Sequence, residues 1–77
     1  MGLRKEVEVL VKEYDMELTI HDFRMVEGPT HTNLIFEVVV PQGYKKTDEE
    51  ISSEIARRIT EKWHNYFAVI KMEKRYI

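Results

Sequence analysis

The chain has 77 residues, no cysteine, 34% charged residues and a formal net charge of −2. That length leaves room for one domain, and a lone domain this small buries little of its surface, so a bracing partner is expected. The missing cysteines exclude a disulfide staple, a thiolate nucleophile and a Cys-ligated metal, and the balanced, interspersed charges argue against a nucleic-acid binder. A second copy of the chain is the simplest remaining brace.

From Leu3 to Tyr14 the apolar residues Leu3, Val7, Leu10, Val11 and Tyr14 recur at spacings of three and four. This is the period of a helix with one buried stripe. Met16, Leu18 and Ile20 then alternate with Glu17 and Thr19, which predicts a half-buried first strand. The apolar series next slips onto Phe23 and Met25, so a bulge is expected near His21-Asp22. Gly28-Pro29-Thr30-His31-Thr32-Asn33 gathers turn formers and reads as a hairpin connection.

Leu34 to Val40 is the second strand, apolar on both faces except at Glu37, and a strand covered on both sides is usually central. Pro41 and Gly43 end it. Thr47-Asp48-Glu49-Glu50 is a capping box that opens a second helix, with Ile51, Ile55, Ile59 and Trp63 on its buried face and His64-Asn65 at its end. From Phe67 onward Ala68, Ile70, Met72 and Tyr76 alternate with Val69, Lys71, Glu73 and Arg75 as a third strand. A helical crossover makes strands two and three parallel, and the hairpin puts strand one on the other side of strand two, giving the order 1-2-3. Two helices cover one face of such a sheet, which leaves Ile35 and Val39 without intramolecular cover and points to an interface.

The longest uninterrupted apolar run is Tyr66-Phe67-Ala68-Val69-Ile70, far short of the roughly 20 residues of a membrane helix, so a soluble domain is expected. Met1 to Glu6 lacks the apolar core of a secretory signal. His21, His31 and His64 show no two-histidine metal spacing. His31 fits a solvated turn and His64 a helix end, where the dipole favours it. His21, next to Asp22 at the phase slip, is either a structural residue or a metal ligand. Ser52, Ser53 and the threonines sit in no nucleophile motif, and no glycine-rich phosphate loop is present, so the residues offer no enzymatic chemistry.

Ile20-His21-Asp22-Phe23-Arg24, Gly28-Pro29-Thr30-His31-Thr32-Asn33-Leu34 and Tyr66-Phe67-Ala68-Val69-Ile70 together resemble the C-terminal cytosolic domain of cation diffusion facilitator transporters. The stretch from His21 to Val40 is similar to the form seen in Firmicutes-type members. The resemblance implies a ferredoxin-like, metallochaperone-like αββαβ fold, one domain over residues 1–77, on the cytoplasmic side of a membrane part that exports divalent cations such as zinc or manganese. It also implies a homodimer, regulated in zinc-responsive members by metal at the subunit contact. Carried over position by position, the ligand histidine of strand one is His21, while Phe36, Glu49, Lys71 and Glu73 stand where the zinc pattern has the other ligands. The resemblance therefore leaves His21, Glu73 and Glu49 as candidate metal ligands, with the usual binuclear site lost at Phe36 and Lys71, and at most weak zinc or manganese binding. Without the resemblance, the same αββαβ pattern also suits a free-standing ferredoxin-like regulatory or ligand-binding module.

Overall fold

The three- and four-residue apolar spacing near the start forms helix α1 (Leu3–Tyr14), which buries Val7, Leu10 and Val11. Strands β1 (Thr19–Glu27) and β2 (Thr32–Pro41), helix α2 (Asp48–Lys62) and strand β3 (Tyr66–Arg75) follow in a computed structural model that describes residues 2–75. Tyr76, expected to continue the alternation of the third strand, lies outside the described residues. The fold is α+β and ferredoxin-like, in the order αββαβ.

The sheet order is β1-β2-β3, with β1 antiparallel and β3 parallel to the central β2. Leu34, Phe36, Val38 and Val40 of β2 share one buried cluster with Val7 and Val11 of α1 and with Ile51, Ile55 and Ile59 of α2. Both helices therefore cover the same face of the sheet. Burying a side chain such as Ile55 fully is worth roughly 1.5–3 kcal/mol, and this cluster is the main source of stability in so short a chain. Among the described residues no helix is long and apolar enough to cross a membrane.

Three details differ from the sequence reading. Met16 is not in a strand: the Asp15 carboxylate accepts from the Glu17 N–H at 2.9 Å and the Leu18 N–H donates to the Asp15 carbonyl, which makes a turn and leaves Met16 80% exposed. Trp63 ends α2 as its C-cap and does not continue its buried stripe, although the ring still packs on the core. Val39 lies on the open face but is only 8% exposed, because Thr19 and Glu73 flank it in register; Ile35 is half-buried. The apolar surface that remains on this face comes chiefly from Val26, Phe67 and Val69, each 46–49% exposed.

Candidate functional site

The chemistry-bearing residues collect on the sheet face away from the helices, and the register explains how. His21 of β1 is abreast of Glu37 of β2, which is abreast of Lys71 of β3. The next row along is Thr19, Val39 and Glu73. Between His21 and Arg24 the β1 register slips, and Asp22 takes a left-handed φ of 54°. The extra residue returns Phe23 to the core side, where its ring stacks on Phe36 at 6.0 Å, and puts Arg24 beside Ile35 on the open face. A cavity of about 600 Å³ opens at this bulge, lined by Asp22, Arg24, Ile35, Glu37 and Lys71 with the two phenylalanines.

Glu37 is the centre of the row, and its electrostatics are unlike those of a surface carboxylate. Partial burial, a hydrogen bond shared with Glu73 and the negative charges of Glu73 and Asp22 all push its carboxyl up from the ordinary range. Lys71 pulls in the opposite direction without prevailing. No ion pair within 4.0 Å involves Lys71 among the described residues, so its ammonium acts at longer range within one copy.

Of the residues singled out in the sequence, the fold brings His21 and Glu73 to the same face but not Glu49. His21 and Glu73 lie on the two outer strands, whose axes are about 9–10 Å apart, so an ion held by both would sit over Glu37. Glu49 is in the first turn of α2, in the helix layer across the sheet, where its carbonyl accepts from the Ser52 hydroxyl at 3.3 Å. Phe36, aligned by resemblance with a ligand position, is 1% exposed in the core, and the β2 residue facing the same way as His21 is Glu37. Among the described residues no three His, Cys, Asp or Glu side chains group so as to hold a metal ion. The donors of one copy therefore do not form a complete cation site.

Glu37 is the residue that sequence reasoning passed over. Its one signal was that it breaks an otherwise apolar run; only the pairing register joins it to His21 and Lys71. The other histidines stand apart from this row: His31 stacks on Phe67 at 4.7 Å, with its Nδ1 3.2 Å from the Thr30 hydroxyl, and His64 is exposed beyond the end of α2.

No family model matches the chain, and no curated protein does. Among solved structures, one of the zinc transporter CzrB aligns with a TM-score of 0.76 at 18% identity, covering 94% of this chain and 92% of that one. The fold is shared with CzrB. The zinc form of CzrB gives a TM-score of 0.75, also at 18% identity, over 94% of this chain and 84% of that one.

Proposed function

We propose that this chain is the cytosolic dimerisation and regulatory domain of a divalent-cation efflux transporter, on the cytoplasmic side of the cell membrane. Two lines support the reading. The fold likeness to a zinc transporter's solved chain runs over 94% of this chain and 92% of that one. The sheet face that the helices leave open combines exposed Val26, Phe67 and Val69 with the His21–Glu37–Lys71 row. That open face is the observation that carries the role, because a surface with an apolar zone beside a charged zone of both signs is suited to meet its own copy.

The domain performs no catalysis. Its work is to hold two copies together and to tie their spacing to the transport part of the longer protein, whose cargo would be a zinc- or manganese-type cation. The Firmicutes-type form rests on the stretch from His21 to Val40. Metal binding by this domain is weak, since His21 and Glu73 fall short of the three or four protein ligands that zinc recruits and Glu49 is in the other layer. Sedimentation of the chain at micromolar concentration, with chelator, zinc or manganese, tests the proposal. A dimer in chelator, changed little by either metal, is expected; a monomer under all three conditions overturns it.

A further inference from the structure

The sheet has two edges, and they are not equivalent. β1 is interrupted where its register slips and Asp22 turns left-handed, so its outer backbone groups do not form a continuous row. β3 keeps an unbroken register with β2 along all 10 residues and contains neither proline nor glycine. It pairs with β2 alone, and among the described residues the backbone of residues 67–75 makes no hydrogen bond outside that ladder. Every second residue there turns its N–H and C=O outward, which is a template for another strand.

The space beside this edge has a shape. Ser52, Ser53 and Ala56 of α2 face Ala68 and Ile70 of β3 across a hollow of about 240 Å³, and Ser53 and Ala56 also border a second, more open hollow that runs to His64. On the opposite side of the strand Phe67 and Val69 are 46% and 49% exposed. The remaining part of β3 is basic, with Lys71, Lys74 and Arg75 against Glu73 alone, and Lys74 is only 4.0 Å from Asp48 in an exposed pair.

We propose that the outer edge of β3 receives an extended, acidic and apolar peptide segment of another protein as a fourth strand, seated between β3 and α2. This goes beyond the dimer face and uses a different surface. Main-chain hydrogen bonds to β3 supply affinity, and alternate side chains supply specificity. A valine-sized side chain enters the hollow over Ala68 and Ile70, while carboxylates at the far end of the added strand meet Lys74 and Arg75. An acidic segment is favoured over a second copy, whose own β3 carries the same excess of positive charge.

The probe is a synthetic ten-residue peptide with valine at alternate positions, threonine between them in one half and glutamate in the other, made in both orders. Titrated into the 77-residue chain, one order should bind saturably and shift the amide resonances of residues 67–75 together with Ser52, Ser53 and Ala56. Methylating alternate peptide nitrogens in the phase that faces β3 should weaken binding about tenfold, the cost of one or two backbone hydrogen bonds. The other phase should bind as before. Ser53→Phe, at an exposed position, should fill the hollow and weaken binding while the fold is kept. Equal binding by both methylated phases, equal binding with lysine in place of glutamate, or no shifts at millimolar peptide would each overturn the proposal. So would amide-exchange protection showing that two copies already pair edge to edge through the outer backbone of β3.

Discussion

Asp22 shows how one residue sets the site. A φ of 54° is open to glycine and tolerable for aspartate but costly for a β-branched side chain. Asp22→Gly should be neutral or slightly stabilising in a chemical melt, and Asp22→Val should cost about 1–3 kcal/mol; equal stabilities would mean that the bulge is not strained. Gly28 is constrained differently. Its N–H donates to the His31 carbonyl at 2.9 Å, and an added Cβ would stand 2.9 Å from that same oxygen, so Gly28→Ala should loosen the hairpin turn. Glu37 carries a pH signature. Its carboxyl is raised in the folded chain, so the folded state binds more protons than the unfolded one above the ordinary glutamate range, and stability falls as pH rises through that window. Glu37→Gln should flatten this part of the stability profile, and carbon-detected NMR titration should find Glu37 protonating above the ordinary glutamate range.

At the level of elements, most boundaries were legible because local chemistry sets them. The Thr47–Glu50 capping box forms both of its reciprocal bonds, at 3.1 Å from the Glu50 N–H and 2.9 Å from the Thr47 N–H, where the sequence places it. Tertiary contacts set what was not legible. Alternation through Met16 looked like a strand, but Asp15 is held at the end of α1 by the Glu17 N–H and by the Tyr44 hydroxyl, a residue 29 positions away that no local pattern connects to it. The bonds from Tyr44 and Glu17 hold the Asp15 carboxyl below its ordinary range. Its contribution to stability is therefore present above the unfolded aspartate range and lost as pH falls below it; Tyr44→Phe should shrink that acid-side loss and lower the melting temperature by a few degrees at pH 7. On α2, Glu54 meets Arg57 at 2.6 Å and Arg58 at 2.7 Å, and these guanidinium bonds pull its carboxyl down to about 2. Helix support from this cluster should hold above the ordinary glutamate range, fade as pH falls from there and be gone below about 2. Melts of Glu54→Gln and of the parent chain that differ at pH 7 and converge near pH 2 are the expected result.

For the whole molecule, the fold depends on one small apolar cluster, while the sheet face that the helices leave open carries the proposed contact between copies. That face could be located in the sequence from Ile35 and Val39, yet its composition could not, since Val39 is covered by its neighbours and the charged row needs three strands in register. If two copies meet through this face, Glu37, Glu73 and Asp22 leave water together, and a buried carboxylate cluster without a cation is strongly unfavourable. Lys71, abreast of Glu37 and in no ion pair among the described residues, is placed to supply that charge across the contact, where a metal ion would otherwise be needed. An exposed pairing would contribute about 0–1 kcal/mol, whereas loss of one member of a buried pair costs roughly 3–5 kcal/mol. Lys71→Ala should therefore weaken self-association at pH 7 by about tenfold or more, leaving the helical circular dichroism signal unchanged. The defect should narrow in acid, because protonated Glu37 no longer requires a counter-charge, and added zinc should relieve it in the variant more than in the parent chain. Sedimentation equilibrium of both proteins at the two pH values measures all three effects, and an unchanged dissociation constant for Lys71→Ala would place the ammonium in water and assign the pairing of copies to the apolar zone around Val26, Phe67 and Val69 alone.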